Sequence, residues 1–488
     1  TRRSSDLGDK DVGANLTVNG NLTITNGTLD LTNDGAGNFD LALATDFSMT
    51  GGSLTAGSSV AHTVGGSWNE TGGTFAPTAG TFTFNGNSKT ITQLGNNFFN
   101  LTIAAGTKTA GSDLDIDGAL LIDPGTLDMS GTNYTLDVEG DLTISNNGTF
   151  TPQGSTHDVL GSWNDAGGTF TPGAGTIILS GNVKTITTAV GNNFFNLTIA
   201  AGTKTAGSNL DIDGALLIDP GTLDMSGTNY TLDVEGDLTI SNNGTFTPQG
   251  STHDVLGSWN DAGGTFTPGA GTIILSGNVK TITTAAGNNF FNLTIAAGTK
   301  TAGSDLDVNG ALLIDPGTLD MSGTNYTLDL EGDLTISNAG TFTPQGSTTH
   351  DVLGSWNDAG GTFTPGAGTF ILSGGIGTTI STANANSFNN LTIAATGDVT
   401  TSAGSSHGFE VSGDSNNITM TGNISTTGTA SHGLYLSTSD SNTFNITGDI
   451  TTTGTDGDSE PIRLENSDSN TFTLSGNVKS LGGDQAIS

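Results

Sequence analysis

The 488 residues include 75 Gly, 11 Pro and no Cys, and 47 Asp and Glu stand against only 11 Lys and Arg, a formal net charge of −36. So few cations among so many anions make no basic patch for a phosphate backbone, and the same balance argues against nucleic-acid partners and anionic lipid. Without cysteine there is neither a disulfide framework nor a thiolate zinc site, and no run approaches the ~18 apolar residues of a membrane span.

Residues 1–12 read as an N-terminal segment or linker, and Thr1-Arg2-Arg3 has neither an initiating Met nor a signal-peptide apolar region, so the chain reads as a mature product or a fragment. Beyond it the sequence repeats itself. Asn100-Leu101-Thr102-Ile103-Ala104-Ala105-Gly106 returns at Asn196, at Asn292 and, altered, at Asn390, with spacings of 96, 96 and 98 residues. Residues 101–196 and 197–292 differ only at Asp113 against Asn209 and Val190 against Ala286. Residues 13–100 are a diverged copy, in which Trp68 stands where Trp163, Trp259 and Trp356 stand later.

Each repeat breaks into short phrases of alternating apolar residues that end at glycine, such as Asp113-Leu114-Asp115-Ile116-Asp117-Gly118 and Thr126-Leu127-Asp128-Met129-Ser130-Gly131. Period-two alternation identifies half-buried strands, and the glycines and Asn-Gly or Pro-Gly pairs supply turns. Three phrases make a circuit of about 22 residues, with no helix for a crossover, which is the pattern of a parallel β-helix. The fold class expected is therefore all-β, a single elongated parallel β-solenoid of ~22 coils, with residues 13–396 forming four long repeats. Each repeat is expected to make four coils, the last about 33 residues long with a protruding loop near Gly106, Gly202 and Gly298. Residues 397–488 continue the solenoid in coils of 25 to 28 residues: Ser406-His407-Gly408 returns as Ser431-His432-Gly433, and a boundary is expected near Gly397.

Gly140-Asp141-Leu142-Thr143-Ile144-Ser145-Asn146-Asn147-Gly148-Thr149-Phe150 and Thr447-Gly448-Asp449-Ile450-Thr451-Thr452-Thr453-Gly454 resemble the β-helical stalks of bacterial surface proteins, the filamentous-haemagglutinin and autotransporter-like adhesins. The resemblance covers nearly all of residues 13–488 and implies a β-helical fold and a cell-surface setting.

Three motifs invite chemistry. Asp113-Leu114-Asp115-Ile116-Asp117-Gly118 opens like a calcium loop, but Pro124 occupies the position of the bidentate Glu, so a strand is expected instead. A looser Ca²⁺ site is expected between acids of adjacent coils, Asp115 and Asp117 with Asp137 and Glu139, since stacked carboxylates repel. His157-Asp158, His253-Asp254 and His350-Asp351 suggest a dyad but lack an assigned nucleophile, which favours a structural role. Trp68, Trp163, Trp259 and Trp356 either stack on glycans or plug the core.

The function expected is that of an extracellular, non-enzymatic structural protein at the cell surface, a subunit of a fibre, sheath or stalk that associates with itself end to end or laterally. An adhesin that grips surface glycans is the alternative, followed by a polysaccharide lyase or hydrolase. Ca²⁺ is the one cofactor entertained, and neither nucleic acid nor direct membrane insertion is expected.

Overall fold

The structure, a computed structural model, describes residues 10–32, 38–58, 61–323, 325–344, 348–374, 380–381, 388, 390–393, 395–396, 399–401, 407–411, 417–454 and 459–481. Residues 1–9, the boundary expected near Gly397, and Ser406 lie outside them. The chain is an all-β parallel solenoid of about 18 turns with about 21 residues per turn. That is fewer than the ~22 coils expected from dividing length by period. The C-terminal turns are longer, as expected: Asn417 pairs with Thr443, and Thr443 with Thr471. Contacts divide the chain into two compact units, residues 1–253 with 261–269, and residues 254–260 with 270–488.

In the first unit the strands fall on three faces. Thr81–Phe84, Asn100–Ile103, Leu120–Ile122, Leu142–Ile144, Trp163–Asp165 and Lys184–Thr187 follow one another in one sheet. Thr107–Ala110, Thr126–Asp128, Thr149–Thr151 and Thr169–Phe170 lie in a second, and Leu114–Ile116, Leu136–Val138, Thr156–Val159, Thr176–Leu179 and Asn196–Ile199 in a third. Pairing is parallel and in register, so like stacks on like: Thr126 faces Thr149, which faces Thr169, while Leu127 faces Phe150, which faces Phe170. Most inward positions are Leu, Ile, Val, Phe and Met with almost no exposure, as period-two alternation requires.

The 96-residue repeat does not contain four turns. Leu101 is followed one turn at a time by Leu120, Leu142, Trp163 and Ile186, which completes four turns. The chain then crosses two more faces, through the Phe194 bridge to Ile212 and into Asn196–Ile199, before the phrase recurs. A repeat is therefore four and two-thirds turns, and Leu197 lies in a different sheet from Leu101. The expected coil of about 33 residues is not one long coil, because Thr176–Leu179 and Lys184–Thr187 are both strands within that stretch. The second unit repeats the offset, with Asn292–Ile295 in the sheet of Leu312–Ile314 and Asn390–Ile393 in that of Thr369–Leu372.

Corners explain the glycines. A Cβ on Gly161 would lie 2.0 Å from the Gly140 carbonyl oxygen on the turn beneath, so adjacent corners close up only without side chains. Gly106 adopts φ 59°, so the loop expected there is a tight left-handed corner. The projecting loop lies earlier, at Val190, which is fully exposed.

Candidate functional site

The projecting loop at Val190 sits over a buried polar staple. In Trp163–Asp165 the alternation that turns the indole inward also turns Asp165 inward, and neither side chain has any exposure. Trp163 packs against Phe170 and Phe194, at centroid separations of 4.8 and 5.1 Å. Asn192, in the loop, donates from Nδ2 to Asp165 Oδ2 at 2.5 Å and to the Gly168 carbonyl at 3.0 Å, while Gly168 N–H donates to Asp165 Oδ1. In the diverged repeat Glu70 takes the place of the aspartate and accepts from Asn96. Burial pushes the Glu70 carboxyl up, partly offset by the hydrogen bond from Asn96.

Trp68, Trp163, Trp259 and Trp356 are all completely buried, so they belong to the core and present no ring face to a glycan. Trp68 stacks on Phe47 at 3.9 Å, Trp259 lies 5.1 Å from Phe290, and Trp356 lies 4.7 Å from both Phe363 and Phe388. Large aromatic side chains fill a wide coil interior where aliphatic ones would leave voids.

The acids behave differently. Asp115 faces Asp137 on the next turn, and Asp137 faces Asp158 beyond it, all on the outward side. Asp117 accepts a 2.6 Å hydrogen bond from Asn97. Partial burial raises the Asp115 carboxyl, and repulsion from Asp137, Asp117 and Glu139 raises it further; Asp137 is raised by burial, Asp158 and Glu139. Copies keep the pattern, with Asp211 facing Asp233 and Asp307 facing Asp329. Among the described residues no three His, Asp or Glu side chains are grouped to hold a metal ion.

His157 and Asp158 are successive strand residues and point to opposite sides. The imidazole is buried, whereas Asp158 accepts a hydrogen bond from Ser180 Oγ at 2.6 Å. They cannot act as a dyad, in keeping with the structural role expected for them.

Sequence reasoning missed the inward lysines. Lys108, Lys204 and Lys300 are buried, and each ammonium donates to two corner carbonyls: Gly86 and Ala105, Gly181 and Ala201, and Gly277 and Ala297. Burial, with repulsion from Lys89, lowers Lys108 to about 8, and burial lowers Lys204 to about 8 against the opposing charge of Asp158, with Lys184 adding to the fall. The signal was present in Thr107-Lys108-Thr109-Ala110, where alternation puts the lysine on the alanine's side.

The C-terminal turns carry a different column. His407 and His432 stack at 4.9 Å, Tyr435 packs on both rings, and Glu460 Oε2 lies 3.0 Å from His432 Nδ1 and 3.6 Å from Arg463. Tyr435 Oη donates to Glu465 at 2.6 Å.

Compared with known protein families, curated proteins and solved structures, the chain matches none of them.

Proposed function

We propose that this is an extracellular, non-enzymatic structural protein, a β-solenoid subunit of a cell-surface fibre, sheath or stalk of the filamentous-haemagglutinin or autotransporter-like kind. The observation that carries the reading is the repeat of four and two-thirds turns. It brings the same staple, acid column and loop onto a different face in each successive copy, as Asn100–Ile103 and Asn196–Ile199 illustrate. Duplication of this kind multiplies length and renews every surface alike, whereas an enzyme needs one groove in which unlike groups converge. Buried indoles leave the glycan-binding alternative only the repeated loop phrases to rest on.

Parallel ladders have free backbone donors and acceptors at their edges, and such an edge accepts another strand, so subunits add end to end. Acid columns on the flanks oppose lateral contact unless cations intervene, and Ca²⁺ enters the proposal as a shared counter-ion between flanks. Electron microscopy of the purified chain at rising concentration tests the reading. Filaments that lengthen with concentration support it, and strictly monomeric particles at every concentration overturn the end-to-end assembly.

A further inference from the structure

The chain contains six histidines, and five of them use the same atom in the same way. His62 Nδ1 accepts the backbone N–H of Leu41, His157 that of Leu136, His253 that of Leu232 and His350 that of Leu328, each at 3.1 Å and each across one turn. In the C-terminal turns His407 Nδ1 accepts from His432 N–H at 3.1 Å. His432 differs, because its Nδ1 lies 3.2 Å from the Glu460 backbone nitrogen and 3.0 Å from Glu460 Oε2, a carboxylate that welcomes a proton there. The two regions differ in sequence and turn length, yet they share this bond.

An imidazole accepts at Nδ1 only while that nitrogen is unprotonated, so its proton sits on Nε2. Two contacts agree with that tautomer: His253 Nε2 lies 3.1 Å from the Pro248 carbonyl oxygen, and His350 Nε2 lies 3.1 Å from Thr348 Oγ1. Adding a proton at Nδ1 sets N–H against N–H, and one inter-turn bond becomes a repulsion. The rings have little water to take up the charge. His62, His157, His253 and His350 are almost wholly buried, and His62 and His350 stack on Phe82 and Phe370 at 4.4 and 4.8 Å.

We propose that His62, His157, His253, His350 and His407 are acid-sensitive clips between turns, which hold the solenoid together at neutral pH and release it on acidification. The charged groups around them set where release begins. Asp40 favours the cation at His62; the outward Asp158, Asp254 and Asp351 beside the next three are bonded to Ser180, Ser276 and Ser373. At His407, Glu410 favours the cation and Arg463 opposes it; at His432, His407 and Arg463 oppose it and Glu460 favours it, with Tyr435 packed on both rings. Burial is the largest cause at His62, His157, His253, His407 and His432, and brings His62, His157 and His253 to about 4. A lowered folded value means that the unfolded chain binds the extra protons, so stability is lost as pH falls below about 6.5 towards 4.

The test replaces these five clip histidines by asparagine, whose amide oxygen accepts the same N–H without titrating. Thermal unfolding of the full wild-type chain and of the fivefold variant is followed from pH 7.5 to 4.5. The wild type is expected to lose unfolding temperature more steeply, and to take up up to one more proton per histidine on unfolding near pH 5.5; parallel pH profiles overturn the proposal. Should the variant not fold, nitrogen NMR of the wild type labelled at histidine decides. Bare Nδ1 with protonated Nε2 at pH 7, persisting in the folded chain at pH 5.5, supports the clips, and protonated Nδ1 at pH 7 overturns them.

Discussion

Leu101 and Leu197 hold the same place in consecutive, nearly identical repeats, yet they belong to different sheets, because 96 residues wind four and two-thirds turns. Neighbouring turns therefore make the same kinds of contact whichever face a repeat starts on. Deleting residues 101–196 joins Asn100 to Leu197 and recreates the native Asn-Leu-Thr-Ile junction. Since solenoid stability is close to a sum of nearest-neighbour terms, the shortened chain is expected to stay folded with unchanged strand content per residue. Far-ultraviolet circular dichroism and a melting curve check it, and loss of a cooperative transition counts against the repeat count.

Trp163 fills the coil interior between Phe170 and Phe194. Trp163→Ala leaves a void that rigid neighbouring turns cannot collapse, and should cost ~3–5 kcal/mol. Chemical denaturation of a single-repeat mutant reads the loss. An effect no larger than that of an exposed control, Val190→Ala, would mean the indole is not core.

Asn192 holds Asp165 and the Gly168 carbonyl at once. Asn192→Ala should cost ~1–3 kcal/mol, because a buried carboxylate oxygen loses its donor. Protease should then cut near Val190 while sparing the equivalent loop at Ala286. Equal cleavage at both would show that the staple does not restrain its loop.

Lys204 tests the sign of an inward cation. Its folded value of about 8 lies below the ordinary 10.5, so the unfolded chain holds protons that the folded chain gives up. Stability contributed by Lys204 should rise as pH climbs from about 8 towards 10.5. Lys204→Met should flatten that rise, and a melting series from pH 7 to 10 on both proteins measures it. A wild-type profile no steeper than the variant's would contradict the assignment.

Much of this architecture was legible in the sequence, because alternation and glycine punctuation are local: the phrase around Thr126, Thr149 and Thr169 stacks as its spacing requires. The winding was not legible in the same way. Thr176–Leu179 and Lys184–Thr187 look like parts of one long coil until pairing assigns them to separate faces. Polar residues misled for a different reason. Asp165 and Lys204 carry charges that ordinarily mark a solvent side, and only strict counting from Trp163 or Ala206 puts them inside. The Asp115 and Asp137 pairing was visible because it needs nothing beyond register.

That pairing gives the last prediction. Asp115 and Asp137 face each other with both carboxyls raised, so the folded chain binds protons more readily than the unfolded chain. Their effect on stability is therefore unfavourable at neutral pH and is relieved as pH falls through the raised folded values, opposite in sign to the histidines. Asp137→Asn removes the repulsion from both neighbours, Asp115 and Asp158, and should stabilise by ~0.2–1 kcal/mol at pH 7. Millimolar Ca²⁺ should raise the wild-type melting temperature more than the variant's at matched ionic strength. If Asp137→Asn destabilises at pH 7, the column is held by attraction through a partner rather than strained by like charge, and the counter-ion role assigned to Ca²⁺ falls with it.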